Sequence, residues 1–391
     1  MEPMPLPQLS HDSIRALMRS TYIPEPTQIT TISTVGWYHS IYMLTFPLHS
    51  IAGLRSQTST ELVLRVSGTD LPSIKTENEA AILTWVAQST SVPVPAVVRY
   101  DISCDNPIGH EYILLERAPG VPLDRLFRTF DEEKLTVVVV DAMVDLYVQL
   151  AASERQWTHI GGLRFGQDGK KIVPGPIVEW AMWNVPEIEK YWPEGTRIED
   201  VNIAGPYASY VEYITALVRT YIYAIKIHPS LAHMRDLLPR IDAFLDALAR
   251  NADTLNQTTL SLAHQDVHFG NMLYDETIGQ ITFIDWEFSG VVPEPSQYPV
   301  MALGWTRDQS EEDKKVNLWV RETFARRCSE RGVAVMDNSG FSSEAQEHMH
   351  EAVSSLLSIV KLCPTDGKQD KVEEWRGAVL EHMGYFEMGT I

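Results

Sequence analysis

Apolar positions along the chain change their spacing several times, and each change marks an element. Residues 10–20 repeat at helical intervals and predict a short amphipathic helix, with Ser10 or Asp12 as its N-cap. Pro24 and Pro26 end that segment. ITTISTV (29–35) is β-branched and predicts a strand, punctuated by Gly36, and IYMLTF (41–46) predicts the returning strand. ELVLRVS (61–67) predicts a third. Helical spacing takes over from Lys75 to Gln88, and the prolines of SVPVPAVV then restart extended chain. EYILLE (111–116) predicts a compact apolar strand, followed by a turn or linker at Pro119–Gly120.

Beyond residue 120 the longer period dominates. Helices are predicted over 131–152, 206–227, 232–251, 310–332 and 343–363, with another short one in the last twenty-odd residues. A glycine-rich loop is expected at 161–175 and a strand-rich insert at 271–285. The expectation is an α+β chain in two parts: a small β-rich part with one main helix, residues 1–116, and a large, mostly helical part, residues 117–391.

Composition excludes several roles. Of 391 residues 44% are apolar and 21% charged, enough for a sizeable core and unlike a disordered chain. The net charge of −20 argues against nucleic-acid and anionic-membrane partners, both of which select a basic face. It tolerates an amine-bearing small-molecule substrate. Cys104, Cys328 and Cys363 are too few and too widely spaced for a zinc site or a disulfide framework, which fits a reducing compartment. No run of 18 uncharged apolar residues occurs; residues 135–151 come closest, and Asp141 and Asp145 interrupt them. The first twenty residues lack a basic region followed by an apolar run. A soluble, cytoplasmic protein is expected; the oligomeric state is not legible.

The chemistry concentrates in LAHQDVHFGNMLYDETIGQITFIDWEFSG, residues 262–290, which contains H-x-D-x-x-x-x-N (His264, Asp266, Asn271) and then Asp285 after an apolar run. NMLYD and ITFID, separated by ETIGQ, predict a hairpin. A five-residue loop would set 275 against 281, 273 against 283 and 271 against 285. Directly opposed residues lie roughly 5 Å apart at Cβ, so Asn271 and Asp285 would share one face and could hold Mg²⁺. Met272, Tyr274, Thr282 and Ile284 would take the other face. Asp266, in the loop before the hairpin, could accept a proton from a substrate hydroxyl or orient it.

These residues resemble the protein-kinase-like superfamily, and within it the aminoglycoside phosphotransferase family, whose stretch reads H-G-D-x-x-x-x-N followed by I-D-W or I-D-F. The resemblance implies a bilobal fold and transfer of the γ-phosphate of ATP to a small molecule. It implies Asp266 as catalytic base, His264 as support of its loop, and Asn271 and Asp285 as Mg²⁺ ligands. It places Arg65, where lysine is usual, on the α- and β-phosphates, with Glu79 as its partner and Glu77 ranked second. The turn at Gly36, poor in glycine, would cover the phosphates with Ser40 or backbone N–H groups. The backbone at Glu116 and Ala118, in the connector between lobes, would meet adenine. Gln265, Val267 and Phe269 depart from the family pattern without removing a reacting group. His268 reads as packing or solvated, and Trp180, Trp183 and Trp192 as core or lid packing in the region where the family builds its substrate pocket. Glu287 could meet a substrate amine or face solvent. No A-P-E segment follows Asp285, against a protein kinase. The competing reading is a non-catalytic kinase-like scaffold or ligand-binding pseudokinase.

Overall fold

The computed structural model describes residues 6–32, 38–47, 51, 61–68, 70–151, 157–297, 300–303, 310–332, 341–365, 367 and 369–387. Gly36 lies outside them. Five strands form the first sheet: β1 (Gln28–Ile32), β2 (His39–Thr45), β3 (Glu61–Ser67), β4 (Val97–Asp101) and β5 (Tyr112–Glu116). All neighbours are antiparallel, in the order β1-β2-β3-β5-β4. Strand alternation splits the sheet into two faces. Tyr42, Leu44, Leu62, Leu64, Val66, Tyr112 and Leu114 pack with Ile14, Leu17 and Met18 of helix α1 (His11–Ser20), which Ser10 caps. Arg65, paired with Ile41 and Ile113, takes the opposite parity.

Helix α2 (Ile74–Ser89) connects β3 to β4 and has no solvated face in its first half: Lys75, Thr76, Asn78 and Glu79 are buried along with Ala80, Ala81, Ile82 and Leu83. A surface helix keeps one polar side in water. Here the polar side is turned inward, onto the site.

After β5 the chain passes through residues 117–120 into β6 (Val121–Pro122), which pairs with a strand of the second part. Gly120 is required at this crossing. Its φ is +106°, and an added Cβ would lie 2.6 Å from the Tyr274 carbonyl. Residues 131–152 are not one regular helix: a three-residue turn and a π-helical stretch over Leu135–Val140 precede Asp141–Leu150. The glycine-rich segment expected as loop is a hairpin, β7 (Gly162–Phe165) with β8 (Ile172–Gly175). Two short strands, β9 (Leu260–Ala263) and β12 (Gly290–Pro293), pair around the motif and were not expected. Between them lies the hairpin of β10 (Met272–Asp275) and β11 (Gln280–Phe283). Tyr210–Ile227, Leu238–Arg250, Glu344–Leu362 and Val372–Glu387 form the helical core behind. Glu311–Glu330 packs on the middle core instead. Among the described residues no helix is long and apolar enough to cross a membrane.

Candidate active site

The hairpin register differs by one residue from the sequence expectation. Asp275 pairs with Gln280, Leu273 with Thr282 and Met272 with Phe283, because the loop holds four residues, with Gly279 at φ +66°. A one-residue shift exchanges faces. Met272, Tyr274, Ile281 and Phe283 therefore share the buried side, and Thr282 leaves the group in which it was placed. Asn271 comes opposite Ile284, not Asp285: the Ile284 N–H donates to the Asn271 carbonyl at 3.0 Å. The direction of Asp285 is set by its own backbone, whose φ of +68° breaks strand parity.

Three interactions fix that bend. His264 donates from Nε2 to the Ile284 carbonyl at 3.0 Å, so Ile284 is held through both its N–H and its C=O. Burial lowers the His264 pKa, which keeps the ring neutral, and it lies 4.5 Å from the Trp286 ring. Trp286, fully buried, donates to the Phe283 carbonyl at 3.0 Å.

Asp285 so placed accepts from Arg65 Nη2 at 2.6 Å. Burial opposes its ionisation, but Arg65 holds Asp285 below its ordinary pKa. Arg65 Nη1 stands 3.4 Å from Glu79, and Glu77 does not enter the cluster. Three residues absent from the sequence expectation complete it. Lys75, one turn before Glu79 on α2, bridges Asp70 at 2.6 Å and Glu287 at 2.7 Å. His39 Nδ1 accepts from Arg65 at 3.2 Å, and burial, then Lys75 and Arg65, hold that ring neutral. Two cations, Arg65 and Lys75, face four carboxyl groups (Asp70, Glu79, Asp285, Glu287) in this cluster. Burial pushes Glu287 up to about 8 although Lys75 pulls it down, and Asp285 adds to the rise.

Asp266 is 39% exposed at its side chain. Asn271 donates from Nδ2 to the Asp266 carbonyl and to Asp266 Oδ2, both at 3.0 Å, and so fixes one carboxylate oxygen. His268, expected to be packing or solvated, also faces this group. Its Nδ1 accepts from the Gly270 N–H at 3.0 Å, which leaves the proton on Nε2, 3.6 Å from Asp266 Oδ2.

The remaining expected residues are less directly engaged. Ser40 stands on the sheet face opposite Arg65 and donates to the Pro7 carbonyl at 2.5 Å; strand parity brings His39, not Ser40, to the site. The Glu116 N–H donates to the Ala96 carbonyl and the Arg117 N–H to the Glu61 carbonyl, so both N–H groups are already engaged. Trp183 and Trp192 are buried against each other at 5.0 Å, whereas Trp180 is 46% exposed. Among the described residues no three His, Cys, Asp or Glu side chains are grouped to hold a metal ion unaided.

A family model described as the phosphotransferase enzyme family (APH) matches residues 53–294. The gentamicin complex of APH(2")-IIa superposes with a TM-score of 0.50 at 12% identity, covering 96% of this chain and 98% of that one. The ADP-bound aminoglycoside phosphotransferase APH(2")-Ib gives 0.49 at 12% identity, covering 97% and 99%. A subtelomeric hrmA-associated cluster protein of Aspergillus fumigatus is 28% identical over 106 residues. That match spans 26% of this chain and 19% of the relative's length.

Proposed function

This chain belongs to the phosphotransferase enzyme family, and from that premise we propose that it transfers the γ-phosphoryl group of ATP to a hydroxyl of a small molecule. The observation that carries the reading is one juxtaposition. Arg65, oriented by Glu79, meets Asp285, while Asn271 fixes Asp266 in the adjoining loop.

In this reading Asp266 Oδ2 is held by Asn271, and Oδ1 is left to accept the proton of the acceptor hydroxyl. That oxygen attacks the γ-phosphorus, the bond from phosphorus to the β,γ-bridging oxygen breaks, and ADP leaves with the electron pair. Most of the rate would come from positioning and electrostatics. Arg65 turns its guanidinium from Asp285 to phosphate oxygens; its buried Nε has no hydrogen-bond partner and suits an anionic acceptor. His264 keeps the Asp285 bend rigid, and the connector backbone around Glu116 and Ala118 receives the base. Residues 1–116 and 117–391 act as nucleotide-binding and catalytic lobes.

The donor set fits Mg²⁺. Asn271 and Asp285 supply hard oxygens, too few alone, so phosphate and water would complete the shell, as this ion prefers. Arg65 keeps Asp285 below its ordinary pKa, so this residue offers the ion an ionised oxygen. When bound, the ion would neutralise phosphate charge.

Calorimetry of Mg-ATP binding to the wild type and to Asp285→Ala tests the reading. Magnesium-dependent binding that disappears in the variant is expected. A folded wild type that binds no Mg-ATP would refute it and leave the non-catalytic scaffold.

A further inference from the structure

A second concentration of acid lies next to the nucleotide cluster. A cavity of about 280 Å³ is walled by Tyr38, Phe288 and Trp180 and carries three carboxylates, Asp70, Glu179 and Glu187. An adjoining cavity of about 360 Å³ shares Glu179, Trp180 and Phe288 and reaches Gln265, the residue before Asp266.

The charges do not balance. Asp70 has Lys75 at 2.6 Å, and Glu187 has Lys361 at 2.8 Å. Among the described residues Glu179 pairs with no cation, and its carboxylate accepts the Tyr213 hydroxyl at 2.7 Å. Glu179 is half-buried, and a carboxylate partly withdrawn from water with no cation beside it is stabilised by a ligand cation. Tyr38 and Phe288 pack edge to face at 5.2 Å, and Lys75 already stands 4.7 Å over the Tyr38 ring, so the wall offers a ligand the apolar surfaces of Phe288 and Trp180.

We propose that this cavity is the acceptor pocket and that it takes a compact alcohol with one ammonium group on an apolar body. The ammonium sits on Glu179, and the apolar body lies against Phe288 and Trp180. The inference rests on the phosphotransferase reading, because the ligand's hydroxyl must reach Asp266. One unmatched carboxylate selects one positive charge. A polycationic amino sugar would bring further ammonium groups toward Lys75 and Lys361, which already occupy the other two acids. Burial raises the Glu179 pKa, and an ammonium beside it would lower it again.

The test is calorimetry with 2-amino-3-phenylpropan-1-ol, its N-acetyl derivative and gentamicin, with and without Mg-ADP, on wild type and Glu179→Gln. The amino alcohol should bind wild type at least about tenfold more tightly than Glu179→Gln, as for loss of a charged hydrogen bond. The neutral derivative should bind weakly and equally to both. Equal binding of amine and N-acetyl derivative to wild type overturns the proposal, and this arm needs no variant to fold. So does unchanged affinity in a folded Glu179→Gln, tighter binding of gentamicin, or no saturable binding of the amine. Mg-ATP titration of the same samples separates the failures. Nucleotide binding without amine binding defeats only this inference. Amine binding without nucleotide binding defeats the phosphotransferase reading.

Discussion

Asp266 is the residue on which the proposed chemistry depends. Replacing it with Asn keeps the shape and removes the base, so turnover should fall at least about a hundredfold while Mg-ATP affinity stays within about twofold. Steady-state kinetics beside calorimetry checks both; unchanged turnover would remove Asp266 from its role. Glu287 carries a second prediction, for the protein without metal or nucleotide. Burial lifts its folded pKa to about 8 from an ordinary value of 4.5. Between those values the folded state keeps a proton that the unfolded chain has lost, so this group makes stability fall as pH rises through the window. Glu287→Gln should flatten that part of the curve of unfolding free energy against pH; a variant curve parallel to wild type would show that Glu287 does not titrate there. The string His264, Asp266, Asn271, Asp285 was readable because its spacing is local. Lys75, Asp70 and His39 were not, since their meeting depends on where a helix start and a strand end come to rest. One signal was available for Lys75: it precedes Glu79 by four positions and so shares its helix face.

Among the elements, α2 and the β10–β11 hairpin show where pattern reading works and where it stops. Helix and strand types were correct at both places, because period is a property of the element itself. The hairpin register was not, because a turn of four or five residues leaves the same apolar pattern, and the last residue of the motif then leaves strand parity through a left-handed backbone. Hairpin β7–β8 was missed because its glycines, which read as loop, are there for close packing. A Cβ on Gly162 would lie 2.4 Å from Asn78 Oδ1 and from the Pro176 carbonyl. Asn78 in turn accepts from the Leu163 N–H at 2.8 Å and donates to the Ser289 carbonyl at 2.9 Å. Gly162→Ala should therefore destabilise by at least about 2 kcal/mol, within the range for overpacking. Gly384→Ala, inside Val372–Glu387 with open space at its Cβ, should stabilise by about 0.5–1 kcal/mol. Denaturant titration of the two variants reads both signs, and a neutral Gly162→Ala would mean that β7 and α2 are free to separate.

At the scale of the molecule, the two-part division drawn from the order of the predicted elements meets a core that ignores it. Ala80, Ala81, Ile82, Leu83 and Val86 of α2, with Ile113 and Leu115 of β5, belong to one apolar cluster with Met143, Leu163, Leu262, Phe283 and Trp286. The proposed boundary at residue 117 thus separates the chain by sequence but cuts through packed side chains. The polar contacts cross it too, Arg65 to Asp285 and Lys75 to Glu287. A helix of the first part that is buried against the second cannot keep its structure if the second unfolds, and removing it would open a large apolar surface at roughly 25 cal/mol per Å². The molecule should accordingly unfold in one calorimetric transition, with far-UV circular dichroism and tryptophan fluorescence losing signal together. Residues 117–391 expressed alone should fail to give a cooperative transition. Two resolved transitions, or a cooperatively folded fragment, would mean that the shared cluster contributes little and that the lobes are independent domains joined by a linker.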